Sequence, residues 1–308
     1  MNVLLAGSSG LIGSALVERL GSEGHQCVRL VRPGGTPPGA AAATTVRWDP
    51  RQGTVDRAAL VDAGPYDAVV NLAGAGIGDR RWTAGRQREI LTSRVAATEL
   101  VVSTITGLDP HPPVLVNASA IGVYGDRGDE VLTEQSGPSS GFLADVCRAW
   151  EATAEPAAAA GIRTVLLRSA VVLSARGGLL GRALLPFRLG LGARLGSGRQ
   201  WFSWISLDDE LSVVLAALGD PDLSGPVNAA APTPITNAEF TAALAGALHR
   251  PAVLSVPVPV LDVAFGREMA REFVLASQRV TPARLLEVGH RFAHPTVDEA
   301  LTAALAAR

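Results

Sequence analysis

The stretch Asn2-Val3-Leu4-Leu5-Ala6-Gly7-Ser8-Ser9-Gly10-Leu11-Ile12-Gly13 decides the fold class. Its first five residues form a short apolar run of the kind that makes a buried strand. Leu11, Ile12, Ala15, Leu16 and Leu20 then follow the helical period. Between the two stand glycines at 7, 10 and 13, where they permit a tight turn and let backbone N–H groups approach a pyrophosphate. Gly21 and Gly24 end the helix, and further strands are predicted at Gln26 to Val31, near Val46 to Trp48, and over Tyr66 to Ala73.

Farther along, the pattern predicts a helix from Thr83 to Thr106, a strand from Pro113 to Ala118, a helix from about Gly141 to Ala160 and a strand from Arg163 to Leu173. Alternating strands and helices joined by short turns make a parallel sheet covered on both faces. Residues 1–173 therefore read as a doubly wound α/β domain of the Rossmann type. After Leu173 the rhythm breaks into glycine-rich loops (Gly177-Gly178, Gly190, Gly192, Gly196, Gly198) and a helix near Asp208 to Leu218. Residues 174–308 read as a smaller C-terminal α/β lobe, some of whose sheet elements can return to the first domain. The run Ala40 to Ala43 reads as a loop insertion. In an open α/β sheet the loops after Ala6, Leu72, Ala118 and Leu173 converge on one ligand cleft.

Composition narrows the function classes. The 308 residues are 47% apolar and 18% charged, with a net charge of -2, which excludes disorder and gives no electrostatic footprint for nucleic acid or anionic lipid. A small molecule is the expected partner. All 27 basic residues are Arg, so any mechanism that needs a lysine amine is excluded. Cys27 and Cys147 lack the spacing of a disulfide framework or zinc site, and the five histidines form no recognisable metal pair. No basic leader is visible, and the apolar stretch Ala252 to Phe265 is interrupted by Pro257, Pro259 and Asp262. The expectations are no membrane span, no metal and a cytoplasmic location.

At the end of the second strand, where an acidic residue would accept the ribose hydroxyls of NAD, the chain reads Leu30-Val31-Arg32-Pro33. A cation there suits a 2′-phosphate, so NADP(H) is favoured over NAD(H), with Arg32 as clamp and Ser9 beside it. The plainer reading of Arg32 is a solvated loop arginine.

The Gly7-x-x-Gly10-x-x-Gly13 spacing resembles the variant glycine motif of the short-chain dehydrogenase/reductase superfamily, and the resemblance extends well past that loop. Asn71-Leu72-Ala73-Gly74-Ala75, Arg81-Trp82-Thr83, Ser93-Arg94, Ala118 to Gly125, Phe142 to Cys147, Gln200 to Ile205 and Gly225 to Phe240 are together similar to one branch of the extended short-chain dehydrogenases/reductases. It is the epimerase group that carries a C-terminal DUF1731 segment, suggested here by Pro251, Gly266 to Ala270, Arg279-Val280, Pro282 and Phe292. The resemblance implies cofactor contacts from Gly7, Ser8, Ser9, Gly10, Leu11, Ile12, Gly13, Arg32, Leu72, Ala73, Gly74, Ser93, Ala118 and Cys147. It implies substrate contacts from Gln200, Trp201 and Trp204, although both tryptophans could equally pack beneath the second lobe. A homodimer is a superfamily expectation.

Extended members use a Ser or Thr, a Tyr, and a Lys one helical turn after that Tyr. Aligned on Val123-Tyr124-Gly125 and Glu151, this chain has Ala120, Leu143 and Cys147 at those places, and with no Lys the relay cannot be restored by shifting the alignment. The candidate proton donors are Tyr124, Ser119 or water. Against this, Tyr124 can simply pack its ring and Ser119 can satisfy backbone. Cys147 reads as a small core thiol rather than a nucleophile, and Asp208 and Asp209 read as caps of the following helix. The reading taken forward is an NAD(P)-dependent oxidoreductase or epimerase with a small carbonyl or hydroxyl substrate. The alternative is a non-catalytic NADP(H)-binding regulator, since some relatives carry a cell-division-inhibitor label.

Overall fold

The computed structural model of the chain describes residues 1–34 and 44–306; the run Ala40 to Ala43 lies outside them. Strand and helix alternate from the start through β1 (Asn2–Ala6), α1 (Leu11–Ser22), β2 (Gln26–Val31), β3 (Thr45–Asp49), β4 (Thr54–Val55), α2 (Arg57–Asp62), β5 (Ala68–Asn71), α3 (Ala84–Ile105) and β6 (Val114–Ala120). A 3₁₀ turn over Ile121–Tyr124 leads to β7 (Val131–Leu132), α4 (Phe142–Ala159), β8 (Arg163–Ser169) and β9 (Val171–Leu173). There follow α5 (Gly178–Arg188), β10 (Ala193–Leu195), β11 (Trp201–Phe202), β12 (Trp204–Ser206), α6 (Leu207–Gly219), β13 (Gly225–Ala229), α7 (Asn237–Ala247) and α8 (Val258–Phe265).

The central sheet runs β13-β8-β6-β5-β1-β2-β3-β4, parallel except where β4 turns back on β3. Alternate residues of each strand feed two cores. Val3, Leu5, Val70, Val165 and Leu167 pack against Leu16 of α1 and Val213 and Val214 of α6. Leu4, Val69 and Leu115 pack against Val101 and Ile105 of α3. Burial on both faces explains why these strands are almost continuously apolar. The architecture is a Rossmann-like parallel sheet flanked by helices.

The long strand expected over Arg163 to Leu173 is divided at Ala170, whose N–H bonds to the Ala229 carbonyl. Beyond the break, β9 leaves the sheet and pairs with β12. The later half of the chain sends β13 back to the edge of the main sheet beside β8 and α6 onto its face. The glycine-rich region after Leu173, expected to be loop, instead contains α5. There Leu180, Leu184 and Phe187 bury one helical face against Trp204, Phe240, Leu244 and Leu301, and that burial outweighs the low helix propensity of Gly178 and Gly181.

The cap of α6 also differs from expectation. Ser206, not an aspartate, accepts the Asp209 N–H. The wholly buried Asp209 carboxylate accepts the Ser206 hydroxyl and the N–H groups of Ala293 and His294, holding the C-terminal segment against α6. Among the described residues no helix is long and apolar enough to cross a membrane.

Candidate nucleotide and substrate cleft

The glycine loop is built for close approach. Gly7 has a φ of 85°, and a Cβ there would lie 2.6 Å from the Leu72 carbonyl carbon, so the loops after β1 and β5 touch through backbone. Gly13 is tighter still: a Cβ would fall 2.2 Å from the Gly7 oxygen. At Gly10 the constraint is absent, the nearest atom to a Cβ being the Gly7 oxygen at 3.5 Å. Gly10 is the N-cap of α1, without a side-chain cap or any acidic residue in the first turn. The helix therefore presents free N–H groups and its positive dipole end to whatever lies over the loop. Behind this loop, the Arg29 Nε donates to Ser8 Oγ at 3.3 Å, with both side chains buried.

Arg32 follows β2 and is exposed, on the far side of the loop from β5. Leu72, Ala73 and Gly74 form the loop after β5, where Ser93 Oγ accepts the Ala75 N–H at 3.0 Å. Arg94 passes beneath Gly74 and donates to the Ala75 carbonyl at 2.9 Å. Its guanidinium lies over Trp150, and burial lowers its pKa to about 10. These are bracing contacts that hold the loop after β5; Ala118 lies buried within β6.

One face of α4 carries Leu143, Cys147 and Glu151 at successive turns. Leu143 and Cys147 pack against Gly122. Burial, helped by the Glu151 charge, pushes the Cys147 thiol up to about 12. It stays protonated near neutral pH and is no nucleophile.

The remaining hydroxyls are held in one chain of contacts. Ser119 donates to Glu151 at 2.6 Å, and Glu151 takes a bidentate pair from Arg168 at 2.8 Å each. Arg168 donates to the Tyr124 hydroxyl at 3.0 Å, which donates in turn to Asn228 Oδ1 at 2.7 Å. Tyr124 is 0% exposed, and burial raises its pKa despite Arg168. Burial opposes the Arg168 charge, but Glu151 more than offsets it and the guanidinium is raised above its ordinary value. The two proton donors named from sequence therefore cross-link β6, α4, β8 and β13, with no polar atom of Tyr124 facing the cleft.

Gln200, Trp201 and Trp204 do not share one wall. Gln200 donates to the Leu195 carbonyl, and Trp201 donates to Asp129 while lying under the Arg279 guanidinium. Trp204 is 0% exposed in a core it shares with α5, α7 and the C-terminal helix, which corrects its expected role as a substrate surface. β12 is a buried strand there, and its indole ring fills the space between α5 and α7.

A cavity of about 480 Å³ opens instead beside the start of α4. Gly122, Ser139, Leu143, Ala144, Arg271 and Glu272 contribute to its lining. Glu272 reaches across from the C-terminal segment to accept the Leu143 N–H at 3.1 Å, capping α4 where Gly141 at φ 114° leaves no room for a side chain. Neither Arg271 nor Glu272 carried a sequence signal of its own. Among the described residues no group of three His, Cys, Asp or Glu could hold a metal ion.

Residues 3–230 match the model of the NAD dependent epimerase/dehydratase family, and residues 256–304 match a domain of unknown function, DUF1731. The chain belongs to the NAD dependent epimerase/dehydratase family. It is 44% identical over 299 residues to the epimerase family protein Mb2239 of Mycobacterium bovis, covering 97% of this chain and 96% of that one. A crystal structure of human epimerase family protein SDR39U1 (isoform 2) with NADPH is similar over 100% of both chains, at 33% identity and a TM-score of 0.87. UDP-glucose 4-epimerase of Thermus thermophilus in complex with NAD is 20% identical, covers 99% of this chain and 98% of that one, and has a TM-score of 0.79. At that identity it bears on the fold alone.

Proposed function

We propose that the chain is an NADP(H)-binding oxidoreductase of the short-chain dehydrogenase/reductase type, acting on a small carbonyl or hydroxyl compound. The observation that carries this reading is the uncapped α1 N-terminus over a glycine cradle that no Cβ could enter at Gly7 or Gly13. These residues fit a dinucleotide: the free N–H groups suit its pyrophosphate, and Arg32 suits a 2′-phosphate beyond β2. The NADPH in the structure of human SDR39U1 supports the same choice.

When bound, the cofactor supplies hydride at the nicotinamide C4. The work of this chain's own residues is to orient and to exclude water. Leu143 and Ala144 give the α4 side of the cavity an apolar wall, and Arg271 and Glu272 offer a substrate there both a cation and a carboxylate. Glu272 ties that cavity to α4, so the C-terminal segment positions the substrate side of the cleft.

Arg32→Ala should weaken NADPH binding about 10- to 100-fold, the loss of one charge-assisted contact of about 1.5–3 kcal/mol, and leave NADH unchanged. Fluorescence titration of nucleotide-stripped protein with both nucleotides reads this out. An equal loss for both, or no loss, would contradict the placement of the 2′-phosphate.

A further inference from the structure

Glu210 is the buried acidic side chain of the α6 first turn that no cap or loop contact explains. It is 0% exposed, Oε1 accepts the Ser169 hydroxyl at 2.6 Å, and Oε2 has no hydrogen-bond partner among the described residues. A buried carboxyl with one oxygen unpaired is costly to keep. Its single partner is the last residue of β8, in register with Ala120 at the end of β6 and only partly buried. The carboxyl ends of these strands border the ligand crevice of a doubly wound sheet.

Topology gives the direction in which a dinucleotide lies. With the phosphates at the α1 N-terminus and the 2′-phosphate beyond β2, its other end extends the opposite way from β1, over β5, β6 and β8. That end is the nicotinamide. We propose that the Ser169 hydroxyl contacts the nicotinamide and that Glu210, acting through it, compensates the positive charge the ring acquires when the cofactor is oxidised. This rests on the NADP(H) reading above. Glu210 is a positioning residue in this scheme: its carboxyl is neutral beside reduced cofactor and releases its proton to solvent as the ring becomes cationic. Hydride leaving C4 takes an electron pair with it, so the ring gains one positive charge and the carboxylate supplies one negative charge.

The surroundings make Glu210 suited to such a change. Burial pushes its carboxyl up to about 7, opposed only by the Ser169 hydrogen bond. Charged groups on the packed elements face elsewhere. On β8, Arg168 points to Glu151 on the other face, and Arg163 binds the Ala217, Leu218 and Leu223 carbonyls at the far end of α6. On α1, Glu18 and Arg19 line a groove with Asp208, while Asp209 is taken by Ser206 and the His294 turn. β6, β9 and β12 carry no charged residue.

The test compares dissociation constants for NADP⁺ and NADPH at pH 6 and pH 8. Both carry the same 2′-phosphate, so its own titration cancels in their ratio. The wild-type NADP⁺/NADPH ratio of dissociation constants should fall at least fivefold from pH 6 to pH 8, and Glu210→Gln should make it flat. Ser169→Ala keeps the carboxyl but removes its one hydrogen bond, so the midpoint of the change should move to higher pH. A flat wild-type ratio, or the same fall in E210Q with an unmoved midpoint in S169A, would overturn the inference while leaving NADP(H) binding intact. Failure of both nucleotides to bind would overturn the underlying reading and this inference with it.

Discussion

Glu151→Leu is expected to cost the fold about 3–5 kcal/mol, because it strands the Arg168 guanidinium in a place that is closed to water. The Arg168 side chain is 8% exposed and its partner 13%, so solvent cannot replace the bidentate carboxylate. Ser119 loses its acceptor in the same step, and Arg168 is left with only the Tyr124 oxygen. Because the four residues lie on β6, α4, β8 and the turn after β6, the damage falls on the carboxyl end of two interior strands of the sheet. The double variant Glu151→Leu with Arg168→Met removes both charges, and should recover most of the loss, since well-packed apolar replacements of buried pairs are often neutral. Urea unfolding of the two single variants and the double variant checks this. Additive losses would mean that Glu151 and Arg168 are not coupled.

The second large effect is a pH dependence of stability. Glu210 is raised from an ordinary 4.5 to about 7 by burial. As pH rises past 4.5 the unfolded chain ionises this carboxyl while the native state keeps its proton, so the unfolded state is favoured progressively until about pH 7. Above that the loss is constant, and the shift corresponds to about 3 kcal/mol. Glu210→Gln cannot titrate, so the parent should lose about 3 kcal/mol relative to the variant between pH 4 and pH 8. Any penalty for the extra amide N–H is common to both pH values and drops out of the comparison. Unfolding curves of both proteins across this range give the answer, and parallel curves would show that Glu210 ionises freely in the native state.

Local signals in the sequence carried much of the fold. The β1-loop-α1 unit is a contiguous pattern whose glycines each have a separate steric reason, and Phe142 to Ala159 shows its apolar face at helical spacing. Parts set by long-range pairing were not legible. The break at Ala170 depends on the Ala229 carbonyl, and β13 joins β8 after an excursion through α5, β12 and α6. The helix α5 was hidden by Gly178, Gly181 and Pro186, whose unfavourable propensity is overcome by contacts from α7 and the C-terminal helix Val297–Ala306.

The site followed the same division. The close backbone approach at Gly7 and Gly13 could be read in line from the glycine spacing. Tyr124 and Ser119 looked available because sequence shows no partner for them. Their partners Glu151, Arg168 and Asn228 lie on three other elements and meet only in the folded chain. Glu210 looked like part of an acidic first turn, Asp208-Asp209-Glu210; in the folded chain Asp208 is exposed and the buried Asp209 has its oxygens occupied, whereas the buried Glu210 keeps one oxygen without a partner.

The most direct measurement is an NADPH titration of the stripped protein beside Gly10→Asp. Gly10 has a β-region backbone (φ -77°, ψ 173°) and room for a Cβ, and aspartate is a good N-cap, so the variant should fold with an unchanged or slightly raised melting temperature. Its carboxylate would occupy the anion position at the α1 N-terminus. Saturable NADPH binding by the wild type, weakened at least 100-fold in this well-folded variant, is the expected result. A wild type that does not bind NADPH, or a variant that binds it equally well, would contradict the assignment of the glycine loop as a dinucleotide site.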